Sequence, residues 1–406
     1  MSPNEPYAHV RRGFGLRAAV QDTLDRDYSA RLVDRLREND YTLTVGETTV
    51  RLAREFGFCY GVERAVDYAY QTRTKFPERR LFLVGEIIHN PHVNGRLREM
   101  GIEILLPKDG KFDFTSIASD DVVLLPAFGV TTHDFDALRA IGCVLVDTTC
   151  GSVLNVWKRV ESYARDGFTS LIHGKYYHEE TRATASQVTR YPGAHYLVVR
   201  DMTEARLVCD YLEGRGDRAT FLARFANATS VGFDPDVHLE KIGVANQTTM
   251  LARESLAIAA EVAGAIERGR GMAARESSFR SFDTICSATQ DRQDAVRELL
   301  EERLDVMVVV GGYNSSNSIS LAAICAEKVT TYHVADSGAI DAERGTIRHR
   351  PVGESGERET PGWLAASGPV RVGLTAGAST PNSKIGETVA RVFATRGVAA
   401  GEGDEA

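Results

Sequence analysis

Long apolar runs are missing from this chain: none reaches the length of a transmembrane helix. The opening stretch MSPNEPYAHVRRGFG has no apolar core, so no secretory signal is expected there. Basic tracts are absent as well, and with a formal charge of −8 nothing suggests a nucleic-acid surface. Cysteine is sparse, six in 406 residues, which argues against a disulfide scaffold and for a reducing compartment, with the cytoplasm expected. No Walker A pattern occurs. A GRGMAA stretch from Gly269 follows a helical pattern rather than a strand, so it is not read as a dinucleotide fingerprint. What remains is an apolar content of 43% and a charged content of 26%, the balance of an ordinary soluble protein long enough for two or three domains.

From Val50 onward, apolar runs alternate with amphipathic helical patterns, which predicts α/β units with mainly parallel sheets. Before that point, an amphipathic helix is predicted near residues 19–37. In α/β folds chemistry gathers where strands end, and those positions are rich here. LFLVGEIIHNPHV offers Glu86, His89 and Asn90, and VVLLPAFGVTTHDFDAL offers Thr131, Thr132 and His133. TSLIHGKYYHEETRATAS offers His173, His178, Glu179 and Glu180, and KIGVANQTTM offers Asn246, Gln247, Thr248 and Thr249.

Three of the six cysteines stand where an apolar or mixed run gives way to a helical pattern. Cys286 ends a short run at residues 282–285 and precedes Val296, Leu299, Leu300 and Leu304 at helical spacing. Cys150 ends CVLVDTTC before Val153, Val156, Trp157 and Val160. Cys59 ends LAREFGFC before Val62, Ala65, Val66 and Tyr70. A thiol at a helix start lies in the positive end of the helix dipole, which favours the thiolate and hence metal binding. The pattern is read as three structural units converging on one centre; three unrelated, half-buried thiols are the alternative that spacing leaves open. Cys143, Cys209 and Cys325 fall within apolar strand or helix patterns and are read as core residues.

Two further loops pair glycines with small polar residues at a helix start: GGYNSSNS, with Asn314, Ser315, Ser316 and Asn317, and TAGASTP, with Thr375, Gly377, Ser379 and Thr380. Backbone N–H groups, the helix dipole and close approach at glycine make such loops suited to anions. Together with the histidines they suggest a phosphorylated or diphosphorylated small molecule. The same residues can also act as ordinary helix caps.

FGFCYGVERAV, GEIIHNPHV, VDTTC, IHGKYYHEETRATAS, NQTTM, TICSATQDRQ, GGYNSSNS and TAGASTP occur in this order. Together they closely resemble the 4-hydroxy-3-methylbut-2-enyl diphosphate reductase (IspH/LytB) family, from about Val50 to Ala394, with wording most like its cyanobacterial and plant branch. The resemblance implies three similar α/β units arranged pseudo-threefold around a central 4Fe-4S cluster held by Cys59, Cys150 and Cys286, with one iron left open to the substrate hydroxyl. It implies reductive dehydroxylation of an allylic diphosphate to isopentenyl and dimethylallyl diphosphates, the last step of the methylerythritol phosphate route. Glu180 would deliver a proton and Thr248 would sit beside the substrate hydroxyl. His89, His178, Gln247, Ser315, Ser316, Asn317 and Ser379 would bind substrate. An external donor such as ferredoxin or flavodoxin would bring electrons, with neither nucleic acid nor membrane as a partner. Many family members carry a histidine in an AHG motif; here it reads AFG, with Phe128 at that place, a departure at one expected diphosphate contact.

On this reading residues 1–46 form an N-terminal extension, and 47–150, 151–282 and 283–396 form the three units. The segment 47–58 is expected to pack with the third, and 397–406 to form a disordered tail. Residues 339–368, rich in Gly, Pro and charge, read as a surface insertion. His92, His133 and His173 are read as structural histidines. A zinc-dependent phosphohydrolase and a cluster-bearing sensor are the competing functions. The first gives no reason for cysteines so far apart; the second leaves Glu180 and Thr248 without a role.

Overall fold

The computed structural model describes residues 9–400. Two compact units emerge. The first gathers the described chain up to Arg12, Glu78–Ile87 and Gly101–Cys286, and the second gathers Gly13–Pro77, Ile88–Met100 and the described chain from Ser287.

The first unit holds two wholly parallel sheets. One runs His9–Val10, Val144–Asp147, Val122–Leu125, Leu81–Val84, Ile102–Leu105, and the other Phe279–Ser281, Ile242–Asn246, Thr169–His173, Tyr196–Val199. The central strands VVLL, LFLV, TSLIH and IGVAN are buried at every position, as expected when a parallel sheet is covered on both faces. Val208, Phe221, Phe225, Ile258 and Val262 pack with one face of the second sheet, and Val156, Val160 and Tyr163 with the other.

In the second unit the main sheet runs Thr331–Val334, Val306–Val310, Val370–Ala376, Thr48–Leu52, Thr42–Val45, with only the last strand antiparallel. The segment 47–58 thus joins this sheet by pairing Thr48–Leu52 with Val370–Ala376. The architecture is α/β with mainly parallel sheets, and among the described residues no helix is long and apolar enough to cross a membrane.

Several expectations need correction. Instead of one helix near residues 19–37 there are two, Arg17–Tyr28 and Arg31–Glu38, because Ser29 and Ala30 are extended. Leu32, Val33 and Leu36 of the second helix are buried in the core of the second unit, so the extension is structural. The short run at residues 282–285 follows a strand that ends at Ser281, and the helix Ser287–Leu299 stops short of Leu304. The surface insertion instead forms a three-stranded antiparallel sheet, Ile340–Asp341, Thr346–His349 and Arg358–Pro361. Its neighbourhood sends Ile340, Ile347, Trp363 and Leu364 into the core. Residues 397–400 are likewise ordered: Ala400 is buried and its carbonyl accepts from Arg35 Nη1 at 2.9 Å. The remainder of the expected tail, 401–406, lies outside the described residues, as do residues 1–8 of the extension.

Gly243 tests how tightly the second sheet is packed. A Cβ there would sit 2.5 Å from the ring of Tyr163, whose hydroxyl is held by the Val244 carbonyl at 3.0 Å. Gly243→Ala is expected to lower unfolding stability by about 1–3 kcal/mol, read as a lower urea midpoint at unchanged m; an unchanged midpoint would show that the ring can retreat.

Candidate functional site

Cys59, Cys150 and Cys286 share one construction. In each case a strand leads towards the cysteine, and a parallel neighbour of that strand ends two residues before a carbonyl that accepts the cysteine N–H. After Thr48–Leu52, Cys59 donates to Ala378 O at 3.2 Å, just past Val370–Ala376. After Val144–Asp147, Cys150 donates to Ala127 O at 2.9 Å, just past Val122–Leu125. After Phe279–Ser281, Cys286 donates to Thr248 O at 3.3 Å, just past Ile242–Asn246.

Cys59 and Cys150 take the N-cap position of the helices Tyr60–Lys75 and Gly151–Arg165 with extended backbone, and Cys286 immediately precedes Ser287–Leu299. Among the described residues no disulfide joins any of the six cysteines. These three are half-buried, whereas Cys143, Cys209 and Cys325 are buried and their thiols are pushed up by that burial to about 11, 12 and 12. Each of the three is an accessible thiol at a helix start, the chemistry of a metal–sulfur ligand, unlike the three buried and inert ones.

In the first unit the loop holding Cys286 also holds an acid. Glu180 is 1% exposed; its Oε1 accepts the Thr248 N–H at 2.6 Å and its Oε2 accepts Thr248 Oγ1 at 3.1 Å. Thr248 therefore binds the carboxylate through two donors and Cys286 through its carbonyl. The neighbouring Glu179 side chain is 50% exposed, so burial separates the two acids that stand side by side in sequence. His178 caps the helix Glu179–Val188, its Nδ1 accepting the Glu180 N–H at 3.2 Å. Gln247 is buried, with Oε1 accepting from Lys175 N–H and Thr181 Oγ1, both at 3.1 Å, and Nε2 donating to Thr249 Oγ1 at 3.0 Å. Its amide braces the Thr248 loop. Phe128 lies edge-on to His178, ring centroids 5.8 Å apart.

The second unit assembles the hydroxyl- and amide-rich loops. His89 is buried, its Nδ1 lies 3.3 Å from Asn314 Nδ2, and its carbonyl accepts Ser379 Oγ at 3.2 Å. Ser315 caps the helix Ser316–Ala326, accepting the Ser318 N–H. Asn317 is 2% exposed; its Oδ1 accepts the Ala378 N–H at 2.9 Å, while among the described residues its Nδ2 has no partner, nor do the buried Ser318 Oγ and Thr375 Oγ1. An unmade buried hydrogen bond costs about 1–3 kcal/mol, so this cluster of orphan polar atoms is suited to a polar ligand. Gly377 is required there, since a Cβ would collide with Ser318 Oγ.

Of the histidines read as structural, His92 and His173 are packed into the fold. His173 is fully buried against Ser255 Oγ at 2.7 Å, and burial pushes its imidazole down to about 4, so it is neutral. His92 packs edge-on to Tyr28, and burial lowers it as well. The His133 side chain is 91% exposed, which leaves it no part in filling the place of Phe128. Sequence reasoning overlooked Asp147, three residues before Cys150. Its Oδ1 accepts the Thr149 N–H at 3.0 Å, and its Oδ2 accepts His9 Nε2 at 3.1 Å and Arg11 Nε at 3.2 Å. No local signal links residues so far apart.

The fold and site define a class: an α/β protein whose parallel strands end in loops that carry accessible cysteines, a buried acid–hydroxyl pair and a small-residue polar cradle. The profile of the family described as LytB protein matches residues 50–393. A relative from Gloeobacter violaceus named 4-hydroxy-3-methylbut-2-enyl diphosphate reductase is 47% identical over 399 residues, covering 96% of this chain and 93% of its own. One of the same name from Thermosynechococcus vestitus is 45% identical over 390 residues, covering 96% and 95%. A solved structure of (E)-4-hydroxy-3-methyl-but-2-enyl diphosphate reductase, described as the terminal enzyme of the non-mevalonate pathway, gives a TM-score of 0.51 at 25% identity, covering 86% of this chain and 99% of that one. The E-1-hydroxy-2-methyl-but-2-enyl-4-diphosphate reductase of Plasmodium falciparum, at 18% identity and a TM-score of 0.60, shares the fold, covering 85% and 87%. This chain belongs to the LytB protein family.

Asp147 generates a pH prediction. Burial alone would raise its carboxyl, but the bonds from His9 and Thr149 outweigh that and hold it well below the usual carboxylate range. A depressed carboxyl contributes stability above its unfolded value, near 4, and that contribution is lost as pH falls through the folded value. Asp147→Asn is expected to cost about 1–3 kcal/mol at neutral pH and to flatten the acid limb of a thermal-stability profile. Parallel acid limbs in the two proteins would remove Asp147 from this role.

Proposed function

We propose that the protein catalyses the reductive dehydroxylation of (E)-4-hydroxy-3-methylbut-2-enyl diphosphate to isopentenyl and dimethylallyl diphosphates, the last step of the methylerythritol phosphate route to isoprenoids. The observation that carries this reading is Thr248, which bonds the Glu180 carboxylate through its N–H and hydroxyl while its carbonyl takes the Cys286 N–H. An acid and a candidate metal ligand thus meet at one residue, as cleavage of a C–O bond by reduction with protonation of the departing oxygen requires.

Cys59, Cys150 and Cys286 would hold a 4Fe-4S cluster. Bound through three thiolates, such a cluster supplies an open iron as Lewis acid for the hydroxyl and relays electrons singly. The rest falls to the chain. Two electrons and two protons enter, one C–O bond breaks, one proton leaves with the oxygen as water, and the other forms a new C–H bond on the allylic carbon skeleton. Glu180, protonated, gives its proton to the Thr248 hydroxyl bonded to it, and that hydroxyl passes its own proton on to the departing oxygen. His89, His178, Ser315, Ser316, Asn317 and Ser379 bind the diphosphate, with the unpartnered Asn317 Nδ2 as a waiting donor. Gln247 serves the substrate through the loop that its amide braces. Electrons come from an external carrier of the ferredoxin or flavodoxin class, and the reading places the protein in the cytoplasm, where free thiols persist.

The test is anaerobic purification with iron and sulfide analysis, followed by turnover of the allylic diphosphate with a chemical reductant. A brown protein forming both five-carbon diphosphates is expected. Brown protein without turnover would favour a sensor, and a colourless protein that cannot be reconstituted would remove the three-cysteine centre. Cys59→Ser, Cys150→Ser and Cys286→Ser should each lower bound iron. Glu180→Gln should lower kcat by about 100-fold or more with iron content at the wild-type value; a rate near wild type would end the assignment of Glu180 as proton donor.

A further inference from the structure

Arg292 lies on the helix Ser287–Leu299, which begins one residue after Cys286, and it is 3% exposed. It shares the buried stripe of that helix with Thr289, Val296 and Leu299. An arginine in such a stripe needs partners. Its Nη1 donates to Ala288 O at 2.8 Å, one turn back in the same helix. Its Nη2 fans across Phe56 O at 3.4 Å, Gly57 O at 2.8 Å and Phe58 O at 3.2 Å, the three carbonyls before Cys59.

The other side of the same peptides is held too. Gly57 N–H donates to Ala376 O at 3.4 Å and Cys59 N–H to Ala378 O at 3.2 Å. Gly57 adopts φ +70°, where a side chain would be strained and would press on Asn382 Oδ1 and Thr380 O. The backbone delivering Cys59 is therefore bound on both edges, its N–H groups by the strand-end loop and its carbonyls by one guanidinium.

Charge gives a second argument. Among the described residues no ion pair includes Arg292, so every partner of this buried cation is a neutral carbonyl. Burying a cation among dipoles alone is costly. An anion close to Cys59 would offset that cost, and a set of metal-bound thiolates is one.

We propose that Arg292 is a positioning residue for the metal centre: it fixes the loop that presents Cys59 and supplies the buried counter-charge for the thiolate-bound group. This rests on the cluster reading above. Outer partners that orient ligands commonly change metal retention by about 10–100-fold when removed.

Full-length Arg292→Met and Arg292→Lys would be compared with the wild type after anaerobic reconstitution with iron and sulfide. The rate of iron loss to a chelator and the electron paramagnetic resonance spectrum after reduction are the readouts. Arg292→Met is expected to lose iron about 10-fold faster or more, with a changed spectrum, and Arg292→Lys, which keeps the charge but not the fork, to recover part of the difference. Wild-type retention in Arg292→Met would overturn the proposal. Equal losses in the Met and Lys variants would overturn the counter-charge. Loss of native circular dichroism in both apo variants would make Arg292 a packing residue and overturn it as well. A wild-type protein that takes up no iron would be the failure of the cluster reading, which is a separate outcome.

Discussion

One hydrogen bond, made three times, organises the chemistry of this protein: a cysteine N–H donated to the carbonyl that lies two residues past the end of a neighbouring parallel strand. Parallel strands end in register, so the loop leaving one strand lies beside the loop leaving the next. A cysteine on the first loop is then held by the second, whose other residues carry the polar groups. Phe128 follows Ala127, Ser379 follows Ala378, and Thr248 is itself the acceptor for Cys286. Candidate metal ligand and candidate substrate contact are thereby built by the same pair of strand ends, which is why a change at either would be felt by both.

Burial sorts the side chains around these loops. Glu180 and Glu179 are chemically identical and adjacent, yet one is buried with two donors from Thr248 and the other faces solvent. A buried acid held by an N–H and a hydroxyl has its position fixed, as the proposed proton delivery needs. The same contrast separates the half-buried Cys59, Cys150 and Cys286 from the buried Cys143, Cys209 and Cys325. In the second unit, among the described residues, orphan donors such as Asn317 Nδ2 hold unspent hydrogen-bonding capacity.

Parts of the chain outside the recognised motifs are structural. The described extension supplies Leu32, Val33 and Leu36 to a core, and His9 and Arg11 to the Asp147 carboxylate just before Cys150. Ile347 and Trp363 lie in a stretch whose composition suggests a surface loop, and Ala400 in one that suggests a free end. Gly, Pro and charge report that a segment turns often and meets water on one side; they do not report what its few apolar residues touch.

Local pattern was enough for what depends on local physics. Apolar runs alternating with helical stripes announced the α/β architecture, and a stripe beginning just after each of Cys59, Cys150 and Cys286 placed those thiols at helix starts, because periodicity and capping act within a few residues. Tertiary structure alone decided what depends on distant partners: the strand-end carbonyl that holds each cysteine, the Thr248 donors that choose Glu180 over Glu179, the bond from Arg35 that orders Ala400, and the burial of Arg292 against residues 56–58. Each is a contact between residues tens to hundreds of positions apart, and hydrogen bonding and desolvation there depend on where the folded chain brings them, which no local pattern encodes.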